Sequence, residues 1–377
     1  MGLGKDGYYH LYDIAEYKPN FALLLSGRNA GKSYAIYMDE EKNGIGGHLK
    51  HALEKGIPTI AYIRRRKEDV TGYMVEQDFA DKLVAISKLS KGKYNAVKVE
   101  KGKIHFATAG DDGKLVLGTP FAYIFPLSLE ARYKSRQYPT IETAIFEEFI
   151  DKDGRYLPNE VEHLESLRST LFRDREGVTY LIGNTISREN PYFEEWQLVG
   201  IPKMKVGQID TYNIENEDGD IIKLCVELSP NRGDKSKKMF FGTAAKSINS
   251  SSWDSKEYVH LSGDFLKDYE ICYSLLWKKK LFSFIIQLLI EKASGNMLVY
   301  VRPAKEKREY NYMVHIEPWA DNNDVYLSTP FLRKEIYAEE MIAKLIAQNK
   351  ICFSTNLTGE DFHTAMKNDP AKPFLVR

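Results

Sequence analysis

Apolar residues recur along this chain at two spacings, and the places where one gives way to the other mark its elements. Phe21–Leu25 is a near-continuous apolar run, as expected of a strand buried on both faces. After the glycine turn that ends it, Tyr34, Ala35, Ile36, Tyr37 and Met38 fall at positions a helix can use. A break at Asn43-Gly44-Ile45-Gly46-Gly47 precedes a short helix around Leu49–Lys55 and, past Pro58, a strand over Thr59–Ile63. Met74, Phe79, Leu83, Val84 and Ile86 are the apolar positions of the next helix. Val97–Glu100 and Lys103–Ala107 alternate around Lys101-Gly102, a hairpin signal, and Leu115–Leu117 and Phe121–Phe125 add further strand. Thr143–Ile150 is an apolar strand that ends in two carboxylates. Leu164, Leu167 and Leu171 share one face of a helix over His163–Phe172, and Val178–Ile182 is strand again, tipped by Gly183-Asn184-Thr185. Strands alternating with helices predict an α/β domain over residues 1–199.

Beyond it the pattern loosens. Gly200-Ile201-Pro202 and the basic stretch to Gly207 read as a linker, and Gln208–Ile214 with Asp220–Leu228 as a hairpin, so residues 200–228 are expected to connect two domains. Phe282–Glu291 is apolar on most sides, hence a buried helix or strand; Met297–Val301 and Tyr312–Ile316 read as strands, and Lys334–Gln348 as an amphipathic terminal helix. Residues 229–377 therefore predict a smaller α+β domain.

Composition narrows the class without deciding it. The 377 residues are enough for two cores, and 53 basic residues against 53 acidic ones leave no net charge, so any nucleic-acid contact must come from segregated patches. Cys225, Cys272 and Cys352 stand apart, which suits a reducing compartment and supplies no metal or disulfide framework. His48 and His51 lack further ligands nearby and read as a solvated helix face. With no basic-apolar leader, and a longest greasy run, Leu281–Ile290, half the length of a membrane span, a soluble intracellular protein is expected.

The chemistry sits where the first strand turns into the first helix. In FALLLSGRNAGKSY the backbone N–H groups from Gly27 to Lys32 can wrap a phosphate chain, with the helix N-terminus adding a favourable field. Ser26, Gly27, Arg28, Asn29, Ala30, Gly31, Lys32, Ser33 and Tyr34 are thus the nucleotide-binding candidates, Lys32 reaching the β- and γ-phosphates and Ser33 a Mg²⁺ ion. Ser26 stands where the usual pattern has glycine, with Gly27 one place later. The pair that ends the TAIFEE strand supplies a second signature: Glu147 for the Mg²⁺ shell, where aspartate is usual, and Glu148 to orient and activate water. Asn184 and Thr185, at a parallel strand tip, can sense the γ-phosphate or hold that water. The layout is that of an additional-strand, catalytic-glutamate P-loop NTPase, and the lack of an [NT]-K-x-D motif points to ATP. Arg64, Arg65 and Arg66, with Lys101 and Lys103 of the hairpin, are candidate DNA-phosphate contacts. Arg173 or Arg175 is the candidate to enter a neighbouring subunit's site, and Arg28 to act in cis. A helicase or partition ATPase, and a slow nucleotide-dependent switch, are the competing readings.

In SGRNAGKSY, AIFEEF and YLIGNTISRENPYF the chain resembles the DNA packaging (encapsidation) ATPases of small tailed phages, the terminase-like motors of the phi29-like group. The resemblance covers about the first 200 residues well. It implies a homo-oligomeric ring, a pentamer, that docks in the host cytoplasm on the portal vertex of an empty prohead and drives double-stranded DNA inward on ATP and Mg²⁺. A structural RNA on the portal is a further partner, and no membrane is involved. It also implies a C-terminal RNase H/nuclease-like domain that has lost its metal acids.

Overall fold

The computed structural model describes residues 8–27, 30–110, 113–151, 154–184, 190–215, 219–230, 258–261, 264–279, 282–304, 312–315, 324–326 and 337–367. They fall into two compact units, the first holding the described residues up to 184 and 200–230, the second 190–199 and those from 258 onward.

In the first unit nine strands are described: β1 (Phe21–Ser26), β2 (Ile60–Arg64), β3 (Ala96–Glu100), β4 (Lys103–Ala109), β5 (Leu115–Pro126), β6 (Thr143–Glu147), β7 (Val178–Asn184), β8 (Gln208–Glu215) and β9 (Ile221–Leu228). They form one sheet in the order β3-β4-β5-β2-β6-β7-β1-β9-β8. From β5 to β9 all neighbours run parallel, so their carboxyl ends share an edge, the edge where open α/β sheets hold ligands. Every residue of β1 is buried, which accounts for its unbroken apolar run. β7 lies between β1 and β6.

Two expectations are corrected here. Residues 208–228 are not a linker: β9 pairs parallel with β1 from Phe21↔Leu224 to Leu25↔Leu228, and β8 closes the sheet outside it. The reason is burial. Without β9, β1 would be an edge strand with unpaired backbone groups, and Leu224, Cys225, Val226 and Leu228 would have nothing to pack on. His48 is likewise no solvated residue. It is buried between the Tyr180 hydroxyl (3.0 Å) and Thr143 Oγ1 (3.2 Å), and burial pushes its pKa down to about 3. His51, on the same helix (His48–Lys55), pairs with Glu142 at 2.6 Å. Both line a cavity of about 700 Å³ at the amino-terminal edge of the strands.

The second unit is a mixed sheet. Its described strands are β10 (Tyr269–Lys279), β11 (Phe282–Glu291), β12 (Met297–Pro303), β13 (Tyr312–His315), β14 (Asp324–Tyr326) and β15 (Ile351–Phe353), in the order β14-β13-β10-β11-β12-β15. β10, β11 and β12 are antiparallel; β13 runs parallel to β10, and β14 to β13. Trp277, Phe284, Ile286, Ile342 and Phe362 belong to its core. The apolar stretch at Phe282 is thus a strand, and the amphipathic helix (Tyr337–Ala347) is followed by another, Asn356–Lys367.

Candidate active site

At the carboxyl edge of the first sheet the chain must turn sharply from β1 into the Lys32–Met38 helix, and Gly31 makes that turn with φ +96°. A side chain there would be strained, and its Cβ would meet Tyr8 Cδ1 at 3.3 Å. The segment before β1 braces the loop from the other side. The Tyr9 N–H donates to the Ala30 carbonyl (3.0 Å), and the Tyr9 hydroxyl donates to buried Glu227 of β9 (2.7 Å).

Lys32 is buried, and its Nζ donates to Ser26 Oγ (2.5 Å), the Gly27 carbonyl (3.2 Å) and Asn184 Oδ1 (3.4 Å). Burial pulls its pKa down to about 7, a pull that the Glu147 carboxylate opposes. Ser33 Oγ donates to Glu147 Oε2 at 3.0 Å. Burial pushes the Glu147 carboxyl upward, while Lys82, the Ser33 hydroxyl and Arg64 favour its charged form. Two hard oxygen donors side by side fit a Mg²⁺ ion. Glu148 follows with φ +58°, so its carboxylate leaves the strand direction and meets Arg64 Nη2 at 2.9 Å. These groups line one cavity of about 550 Å³, as do Gly31, half-exposed Tyr34, and a turn bearing Asp78, Asp81 and Lys82.

The structure thus brings Ser26, Gly31, Lys32, Ser33, Tyr34, Glu147, Glu148, Asn184 and Arg64 together. Arg28, Asn29 and Thr185 lie outside the described residues. Arg65 corrects its assignment to DNA. Its buried guanidinium holds Glu160 at 2.7 and 2.9 Å and the Phe149 carbonyl at 2.6 Å, and stacks over Tyr156 at 4.9 Å, so it ties β2 to the helix after the acid strand. Arg66 donates to the Arg155 carbonyl. On the hairpin, Lys101 is 87 % exposed, with Glu100 3.9 Å away, and Lys103 stands over the Tyr123 ring at 5.1 Å.

Arg173 and Arg175 sit in the turn before β7, at the amino edge, so the seven residues of β7, roughly 20 Å, separate them from their own chain's loop. Among the described residues, the Arg173 side chain makes one bond, to the Arg136 carbonyl at 3.2 Å. Arg175 makes four, to the carbonyls of Tyr138, Pro139, Ile141 and Leu171.

Sequence reasoning missed the Asp78–Lys82 wall and the Tyr9–Glu227 brace. Apolar spacing from Met74 to Ile86 reads as one helix, whereas the chain forms two, Gly72–Asp78 and Leu83–Leu89, with the turn between them facing the cavity. Glu227 gave no signal, because a glutamate in an alternating hairpin reads as solvent-facing.

The large mixed sheet, with a glycine turn and two acids at the carboxyl edge of its parallel strands, defines an α/β protein. More narrowly, the chain belongs to the podovirus DNA encapsidation protein (Gp16) family, whose profile matches residues 4–220. It is 30% identical over 224 residues to the DNA packaging protein of Bacillus phage phi29, covering 57% of this chain and 58% of the relative. With that of Bacillus phage B103 it is 32% identical over 184 residues, 47% of each chain. The chain thus spans about half the length of the curated relatives it matches. A chain of the bacteriophage phi29 viral genome packaging motor assembly shares its fold, with a TM-score of 0.54 and 20% identity over 96% of this chain and 98% of that one.

Proposed function

We propose that this chain is an ATP-driven motor that moves double-stranded viral DNA into an empty prohead through the portal vertex. The observation that carries the proposal is the convergence of Lys32, Ser33, Glu147, Glu148 and Asn184 on one cavity at the strand ends. The loop amides and Lys32 bind the triphosphate, and Lys32 exchanges its contacts with Ser26 and the Gly27 carbonyl for phosphate oxygens. Ser33 and Glu147 would hold Mg²⁺, which neutralises charge on the β- and γ-phosphates when bound. Glu148 orients the attacking water and takes its proton, Asn184 and Thr185 sense the γ-phosphate or hold that water, and Arg28 acts in cis. Arg173 or Arg175 reaches the adjacent subunit's site in a homo-oligomeric ring, a pentamer by family resemblance.

Lys101, Lys103, Arg64 and Arg66 are proposed to meet DNA phosphates during translocation, Arg64 once released from Glu148. The second unit is read as an RNase H-like domain without nuclease activity. Three antiparallel strands extended by parallel β13 and β14 support the fold. Its candidate acids are scattered: Asp210 and Asp220 belong to the β8–β9 hairpin region of the first unit, and Asp264 pairs with Lys267 at 2.7 Å. The portal, and a structural RNA bound to it, are the proposed docking partners, in the host cytoplasm. No described helix is long and apolar enough to cross a membrane.

ATP hydrolysis should rise on adding empty proheads, and more than on adding free DNA. Lys32→Ala should abolish ATP binding in calorimetry while the fold survives. Stimulation by free DNA alone would favour a helicase-like enzyme, and undiminished ATP affinity in Lys32→Ala would remove the loop assignment.

A further inference from the structure

The geometry points to Lys82 as a second lysine of the nucleotide site, contacting the terminal phosphate of ATP from the wall formed by the Asp78–Lys82 turn. The inference rests on reading the cavity as an ATP site.

Lys82 is almost wholly buried and lines the same cavity as Lys32, Ser33 and Glu147. Its Nζ donates to Asp81 Oδ1 at 2.7 Å and to the Asp78 carbonyl at 2.9 Å, and stands 5.6 and 5.5 Å from the ring centres of Tyr37 and Phe79. An ammonium carries three protons, and no third acceptor is present among the described residues. Packing alone does not explain a charge here. Taking an ammonium out of water is costly, and its carboxylate partner, Asp81, is 63 % exposed, where an ion pair contributes little. Leucine or methionine would fill the space against Tyr37 and Phe79 without that cost.

The position on the wall sets which phosphate it meets. Arg64 and Glu148, where the attacking water is oriented, line the same cavity, and Asp78, whose carbonyl holds Lys82, also lies 3.7 Å from Arg64. Glu147, the proposed metal acid, lines that cavity too. A cation in that place meets the γ end of the nucleotide, and ADP has no phosphate there.

The test is discrimination between ATP and ADP. Lys82→Met keeps the apolar stem and removes the charge; it is made in the full chain carrying Glu148→Gln, so that ATP persists. Calorimetry with Mg²⁺ present should show ATP affinity falling about tenfold or more, with ADP affinity unchanged and Lys82→Arg restoring the difference. An unaltered ATP-to-ADP ratio, or equal losses for both accompanied by a lower melting temperature, would overturn the inference and leave Lys82 a packing residue. Should the Glu148→Gln parent itself not bind ATP, the ATP-site reading fails, and the inference with it.

Discussion

Glu148 adopts a backbone conformation that few non-glycine residues enter, and it is the residue proposed as general base. The αL twist turns the carboxylate off the β6 axis and into the cavity, where Arg64 holds it. Strain and chemistry can be separated by two substitutions. Glu148→Gln keeps the strain and removes the base, so hydrolysis should fall by about 10²–10⁴-fold while ATP still binds. Glu148→Gly should also be inactive, yet gain about 1 kcal/mol of stability by relieving the backbone, read as a higher melting midpoint. A Glu148→Gly protein less stable than Glu148→Gln would show that the twist stores no strain. At this scale the loop and its acids were legible, because motif residues act where neighbouring spacing puts them. Arg65 was not: its burial is decided by Glu160, 95 residues away, and no local pattern announces that partner.

At the scale of elements, β9 joins the nucleotide site to the end of the first unit through a buried acid. Glu227 sits in the strand beside β1, and burial pushes its pKa up to about 7, although the Tyr9 hydroxyl bonds to its charged form. A carboxyl raised in the folded state contributes stability that is fully present below its unfolded value, near 4.5, and is lost as pH rises through about 7. Wild-type stability should therefore decline between pH 5 and 8 by roughly 3 kcal/mol more than that of Glu227→Gln, in which an amide still accepts from Tyr9. Parallel declines in denaturant melts of the two proteins would remove Glu227 from that account. The hairpin itself was legible, but its place in the sheet was not. Alternation fixes which residues of a strand share a face, and says nothing about which strand it lies beside. The break at Phe79 was hidden for a related reason, since apolar residues keep a helical spacing across two short helices that a turn separates.

For the assembled molecule, the turn before β7 carries the proposed communication between subunits. Among the described residues the Arg173 side chain has a single carbonyl contact, whereas that of Arg175 must break four. Mixing a subunit that lacks one arginine but has an intact loop with a Lys32→Ala subunit tests each in turn. Where the arginine acts in trans, some interfaces pair a sound loop with a sound arginine, and hydrolysis should reappear above either variant alone. The gain should be a large fraction of the roughly 10³–10⁵-fold that such residues provide elsewhere. Assembled mixed rings with no recovery would exclude the arginine tested.

The pairing of β9 with β1 also has a mechanical consequence. Both strands run toward the same edge, and the chain leaves β9 at Ser229, whose N–H still holds the Leu25 carbonyl at 2.8 Å, one residue before the loop begins. A pull on the chain beyond Ser229, directed away from that edge, loads the ladder lengthwise. Its rungs then bear the force together, where a sideways pull would open them one after another. A load on Ser229 therefore reaches Leu25, at the root of the loop, through the bond the two share.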